Sequence, residues 1–229
     1  MSASSHTLLQ APSSLSPRGT VYGTLLNFRD ALQALGDQVN AAPYKAPPKA
    51  PVLYIKPRNT WAAEGDAIVV PHDVDELEIG VSIGLVIGHS ACRVDEASAL
   101  SHVSHLVVVN DISVPHASYY RPSMRFKCRD GFCPIGTPVP LKAASDPDAL
   151  TLVVEIDGRE VQRSSSAGLI RPARRLLADV SEFMTLHPGD ILMIGVPGHA
   201  PRARAGQRVT VAVPGVGRLS NILVAEGAA

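Results

Sequence analysis

The chain has no net charge to offer a partner: 21 Lys and Arg balance 21 Asp and Glu. That argues against nucleic-acid binding as its main task and against a polybasic membrane contact. It is poor in cysteine, with only Cys92, Cys128 and Cys133. An odd, low count builds no disulfide framework and suits a reducing cytoplasm. No run of 18 apolar residues exists, so no helical membrane span is expected. The opening MSASSHTLLQAPSSLSPRG lacks the basic and apolar regions of a signal peptide. It reads as a flexible tail over residues 1–18, ahead of a single domain over 19–229, in a cytoplasmic protein.

What is present points to a globular, turn-rich chain. The 229 residues are enough to bury a sizeable core, and 45 % hydrophobic residues are too many for disorder. Eighteen glycines and 19 prolines exceed ordinary usage, so long helices should not dominate. Strands are expected at residues 21–26, PVLYIKP (51–57), AIVVP (67–71), IGVSIGLVI (79–87) and LVVVNDISV (106–114). TLVVEI and REVQ flank Asp157-Gly158, a hairpin signal; HPGDILMIG (187–195) is a turn followed by a strand, and 207–213 and 218–224 are the last two strands. Helices are expected at FRDALQAL (28–35), closing at Gly36, at DEASALSHVSH (95–105) and at 171–186, with Pro172 in the first turn. AAPYKAPPKAP (41–51) must be an extended or irregular loop, kept solvated by its two lysines. The sum is an α+β, β-rich fold with about three short helices. Strands and helices do not alternate regularly, which disfavours a doubly wound sheet.

The densest chemistry lies in VNDISVPHASYYRPSMRFKCRDGFCPIG (109–136). It holds Asp111, His116, Tyr119, Tyr120, Arg121, Arg125, Lys127, Arg129 and Asp130. Having few apolar residues, its 115–136 part is not expected to join the core. Arginine forks and a lysine point charge suit a carboxylated small molecule, and a solvated basic loop fits the same residues equally well. Glu76 and Glu78 share a strand face and, with a third acid, would suit Mg²⁺; charges guarding an edge strand explain them too. His102 and His105 have a spacing that brings two imidazoles to one metal on a helix, but lack further ligands. Cys128 and Cys133 have no second cysteine pair for zinc. No GxSxG, P-loop or GxGxxG pattern occurs. Arg171, Arg174 and Arg175 are expected to form an exposed helix face.

Three segments in order carry a resemblance: LVIGHSACRVDEASALSHVSHLVVVNDIS, KCRDGFCPIG and LHPGDILMIGVPG. The order and spacing resemble the fumarylacetoacetate hydrolase family from about residue 20 to residue 224. Within it, SVPHASYYRPSMRFKCRDGFCPIG and YKAPPKAPVLYIKPRNT are similar to one branch, the N-terminal half or subunit of homoprotocatechuate-pathway isomerase/decarboxylases. The resemblance implies a mixed β-sandwich or roll, usually dimeric, with a small carboxylated substrate and a second copy or homologous subunit as partner. It implies decarboxylation of 5-oxopent-3-ene-1,2,5-tricarboxylate and isomerisation of 2-hydroxyhepta-2,4-diene-1,7-dioate.

The resemblance also implies roles. Lys127 stands at the family's lysine position and would stabilise developing charge, beside Asp111. His116, Tyr119 or Tyr120 would deliver a proton, Arg121 and Arg125 would clamp remote carboxylates, and Asp130 would help bind substrate. Two departures qualify this. LNFRDALQALGDQVN has no His or Glu where hydrolytic members carry a water-activating base, which speaks against hydrolysis. Counting back from Asp111 in the family spacing puts the two metal-ligand positions on Gly80 and Ser82. Glu76 and Glu78 would serve only if the strand shifted by four residues. Asp111 alone is thus a weak metal ligand: no cofactor is favoured, and Mg²⁺ should bind weakly or not at all. A non-catalytic partner of a metal-bearing homologous subunit, and a hydrolase or oxaloacetate decarboxylase, stand as alternatives.

Overall fold

In a computed structural model, residues 18–42, 45–116 and 124–227 are described. The first strands are β1 (Val21–Leu25), β2 (Val52–Lys56), β3 (Trp61–Ala62), β4 (Ala67–Val70), β5 (Leu77–Glu78), β6 (Val81–Ile87) and β7 (Val103–Asn110). They are followed by β8 (Cys133–Pro134), β9 (Val139–Pro140), β10 (Thr151–Ile156), β11 (Arg159–Ser165) and β12 (Ile191–Met193). The last are β13 (Arg202–Ala203), β14 (Arg208–Val213) and β15 (Gly217–Ala225). The α-helices are α1 (Arg29–Gln33), α2 (Met124–Lys127) and α3 (Ala173–Phe183). No helix among the described residues is long and apolar enough to cross a membrane.

Two mixed sheets carry the fold. One has the order β2-β1-β12-β6-β7-β9, the other β11-β10-β14-β15-β4. Leu106 and Val108 of β7 share one core with Leu152 and Val154 of β10 and Val209 and Val211 of β14. Val107 and Val109 point the other way, into a smaller cluster with Val21, Ile191, Met193 and Cys133. A strand buried on both faces needs an unbroken apolar run, which is why 106–109 reads Leu-Val-Val-Val. Burying one such side chain contributes about 1.5–3 kcal/mol. Between β10 and β11, Asp157 (φ 50°) and Gly158 (φ 77°) make the left-handed pair a tight hairpin turn requires.

In α3, Ala173, Leu176, Leu177, Val180 and Ser181 are buried, the i, i+3, i+4 pattern of one inward stripe. The Asp148 carboxylate accepts from Ala173 N (2.6 Å), capping the helix from a distant loop. Arg175 is held by Asp179 (2.7 Å), and Arg171 also reaches Asp179 (3.0 Å) at 16 % exposure, so Arg171 is not part of an exposed face.

Two expectations are corrected. Residues 95–105 do not form a helix. A 3₁₀ turn covers Ala99–His102, and the chain then enters β7 at Val103. Ser98 and Ser101 hydroxyls donate to the carbonyls of Asp95 and Ser98, competing with helix bonds, and pairing with β6 claims the rest. His102 Nδ1 lies 2.9 Å from the Ser90 carbonyl and His105 sits on the strand, so they do not share a helix face. The 115–136 segment also joins the core: Phe132 and Cys133 are fully buried and Ile135 nearly so.

Candidate active site

The site grows from the end of β7. Asp111 N donates to Gly80 O (2.7 Å), Glu78 N to Ser113 O (2.8 Å) and Ser113 N to Glu78 O (3.2 Å). The antiparallel ladder therefore continues past β7 without a slip, and it holds Asp111 rigidly in the interior at 2 % exposure.

Strand β2 supplies two more groups. Tyr54 and Lys56 are two apart, so both project from one face. Gly23 of β1 is paired with Tyr54, and a Cβ there would overlap the ring. The ring lies across the glycine, and its hydroxyl donates to Asp111 Oδ2. Lys56 is fully buried. Its ammonium donates to the carbonyls of Ile112 (2.9 Å), Lys127 (2.8 Å) and Phe132 (2.8 Å). Those three bonds use all its protons, so Asp111 Oδ1, 2.7 Å away, is held by charge rather than by an aligned hydrogen bond.

Helix α2 delivers the last member. Lys127 Nζ donates to Asp111 Oδ2 (2.9 Å) and lies 4.9 Å from the centre of the Tyr54 ring. Among the described residues Asp111 is its only hydrogen-bonding partner, which leaves donors directed at the pocket. Two buried ammoniums against one carboxylate leave the floor with one positive charge.

The surroundings tune each group. Burial alone would raise the Asp111 carboxyl. The ammoniums of Lys127 and Lys56, with the close Lys56 contact and the hydrogen bond from Tyr54, outweigh burial and hold it well below the usual carboxylate range. Burial lowers Lys127; Asp111 pulls against that, Lys56 adds to it, and the net direction is down. Burial, then the Asp111 charge, pushes the Tyr54 phenol well up, so it stays a donor. Burial pushes the Cys133 thiol up to about 12, which removes it as a thiolate nucleophile.

Gly23→Ala tests this packing. The overlap is expected to cost about 1–3 kcal/mol of stability. In a chain already carrying Tyr54→Ala, the same change should cost little. Urea unfolding of the two single variants and the double variant measures the coupling, and additive losses would contradict it.

Lys127, Asp111 and His116 meet at one pocket of about 310 Å³, with Tyr54, Glu78 and Arg202 also in its wall. His116 stacks on Phe126 (5.0 Å between rings), and its Nδ1 is 2.9 Å from the Val114 carbonyl. Tyr119, Tyr120 and Arg121 lie outside the described residues. Arg125 and Asp130 do not line the pocket. The Arg125 side chain is 77 % exposed and points to Asp73 (3.9 Å), and Asp130 accepts from Asn59 Nδ2 (2.7 Å). Residues two apart on a helix diverge by about 200°, so Lys127 turns in and Arg125 turns out.

The two glutamates part company. Glu76 Oε1 takes Arg204 Nε (2.9 Å), away from the pocket. Glu78 enters the pocket with no shift of register, because it stands opposite Ser113, one pleat repeat from Asp111. The expectation that only a four-residue shift would bring it near is corrected.

These residues do not fit a divalent cation. Asp111 is saturated by Tyr54 and two ammoniums, whose charge would repel a dication. A side chain at Gly80 would meet the Asp111 carbonyl at 2.6 Å, and Ser82 Oγ is turned to Gly195 O (2.7 Å). A hard cation wants several oxygens converging, and positions 80 and 82 add none to Asp111 and Glu78. No group of three or more His, Cys, Asp or Glu suited to a metal occurs among the described residues.

Sequence reasoning did not single out Tyr54, Lys56 or Arg202. The parity of 54 and 56, with a lysine closing an apolar strand, was the available signal for the first two.

A family profile described as "Fumarylacetoacetate (FAA) hydrolase C-terminal" matches residues 20–224. A 4-hydroxyphenylacetate degradation bifunctional isomerase/decarboxylase of Salmonella dublin is 41 % identical over 209 residues, covering 91 % of this chain and 48 % of the relative. The chain thus spans about half the length of such curated relatives. The crystal structure of 5-carboxymethyl-2-hydroxymuconate delta-isomerase from Mycobacterium smegmatis is similar at TM-score 0.77 and 28 % identity, over 91 % of this chain and 79 % of that one. Fumarylpyruvate hydrolase from Pseudomonas aeruginosa, solved with Mn²⁺ and pyruvate, shares the fold at TM-score 0.77 and 22 % identity, over 96 % and 100 % of the two chains.

Proposed function

The chain belongs to the fumarylacetoacetate hydrolase family, and from that premise we propose that it is an isomerase/decarboxylase of aromatic-compound catabolism. Its substrates would be unsaturated 2-oxo acids with further carboxylates: 5-oxopent-3-ene-1,2,5-tricarboxylate for decarboxylation and 2-hydroxyhepta-2,4-diene-1,7-dioate for isomerisation. The observation that carries the reading is the buried, cationic Lys56–Asp111–Lys127 floor of a small pocket. The 41 % identity to an isomerase/decarboxylase supports it.

Both reactions pass through one kind of intermediate. Loss of CO₂ leaves an electron pair on carbon, which the 2-oxo group takes up through the intervening C=C bond as a dienolate oxygen. Isomerisation moves a proton between that oxygen and a carbon of the same conjugated system. Each step develops negative charge on oxygen. A fixed ammonium in a water-poor site stabilises such charge without reorganising. Lys127 supplies it, Asp111 and Tyr54 orient it, and Lys56 locks the loop behind it. In this reading the side chains of the pocket carry the steps, because Asp111 is already engaged by Tyr54 and two ammoniums.

The test is to give the purified chain each compound and follow loss of the diene absorbance and release of CO₂. Turnover of at least one supports the reading. A chain that is inert alone and active only with a homologous subunit would instead favour the non-catalytic partner. The similarity to the isomerase/decarboxylase branch motivates a paired assembly, homodimer or heteromer. Light scattering of the active preparation should then give the mass of two chains, and a fully active monomer would contradict that part.

A further inference from the structure

We propose that Arg202 is the specificity-determining residue of this pocket, the group that receives the substrate's distal carboxylate. The inference rests on the reading above and deepens it, because it says which end of the substrate the pocket selects.

Its placement follows from backbone pairing. Arg202 of β13 is opposite Glu78 of β5, and Glu78 is opposite Ser113. Three chain segments thus lie side by side, with Arg202 on one outer segment and Asp111 two residues along on the other. With about 4.8 Å between segments and about 3.3 Å per residue, the two backbones are about 12 Å apart. A molecule whose reacting end lies on Lys127 has its far end directed at Arg202. A seven-carbon dioate is shorter than that gap, and the arginine stem closes the remainder.

The backbone leading to Arg202 is fixed. Gln162 Nε2 donates to Gly198 O (2.8 Å), and Ile79 N donates to Pro201 O (2.8 Å). A Cβ at Gly198 would approach the Ala31 backbone at 2.9 Å, so the loop is seated closely on α1. The side chain is only loosely engaged: its nearest acid is Glu78, 3.7 Å from Nη2, and it is 54 % exposed. A guanidinium held by backbone but not spent on a close partner is free to fork onto a carboxylate. Arg125, the sequence-based candidate for this task, faces Asp73 instead.

The experiment compares Arg202→Gln, Arg202→Lys and Arg204→Gln on two substrates. These are the dioate and a 2-hydroxydienoate lacking the distal carboxylate. Arg204 is 70 % exposed, pairs with Glu76 and lies outside the pocket wall, so it controls for the lost charge. Arg202→Gln should raise KM for the dioate about tenfold to a hundredfold, with kcat little changed. Its KM for the monocarboxylate should not move. Arg202→Lys should recover part of the loss, and Arg204→Gln should behave as wild type. Equal effects of Arg202→Gln on both substrates, or an effect of Arg204→Gln as large, would overturn the assignment while leaving the function standing. A wild-type chain that turns over neither compound would overturn both.

Discussion

Replacing Lys127 by alanine is expected to lower turnover by about a hundredfold or more while the chain stays folded. Two lysines contact Asp111, and the geometry decides between them. Lys56 spends its three protons on the carbonyls of Ile112, Lys127 and Phe132 and is fully buried, so it serves the fold. Lys127 keeps donors for the pocket it lines. Removing a preorganised donor to a developing oxyanion typically costs about 2.7–4 kcal/mol of transition-state stabilisation. The fold should tolerate the change because Asp111 retains Lys56 and Tyr54, and the buried charges then balance one to one. Lys127→Met, which keeps the stem volume, separates loss of charge from loss of packing. Turnover near wild type in either variant would remove Lys127 from its role.

Asp111→Asn should have the largest effect on stability. It leaves two buried ammoniums facing no anion, and breaking a buried pair this way costs about 3–5 kcal/mol. The sign of the pH dependence follows from the depressed Asp111 carboxyl. Its stabilising contribution is fully present above the unfolded-state carboxyl value of about 3.9. The contribution is lost as pH falls below that toward the lower folded-state value. Urea unfolding should therefore show a constant gap between wild type and Asp111→Asn at pH 6–8, narrowing below about pH 4. A gap under about 1 kcal/mol at pH 7, or one that widens in acid, would contradict the buried-charge account.

Much of the frame was legible because local pattern and tertiary demand agree. The Leu106–Val109 run, the Asp157-Gly158 turn and the inward stripe of α3 each satisfy both. The 95–105 segment was misread because its spacing imitates a helix, while Val103 and His105 are claimed by pairing with β6. The chemistry near Asp111 was legible in part. Lys127, Asp111 and His116 stand close in sequence and share a pocket, yet Arg125 and Asp130 are equally close in sequence and face elsewhere. A short helical turn separates neighbours that a sequence window groups together. Lys56 and Arg202 were hidden for a different reason. A lysine at a strand end and an arginine in PRARAGQR both read as solvated surface, and only the β1–β2 and β5–β13 pairings turn them toward the site.

We propose that the pocket's own ammoniums take the place a divalent cation would fill. The direct measurement is the isomerisation rate of the chain after exhaustive chelation, before and after adding back Mg²⁺ or Mn²⁺. The stripped chain is expected to be fully active, and the ions to change the rate less than about twofold, since Asp111 is already saturated by Tyr54, Lys56 and Lys127. A stripped chain that is inert and recovers on addition of either ion would contradict it.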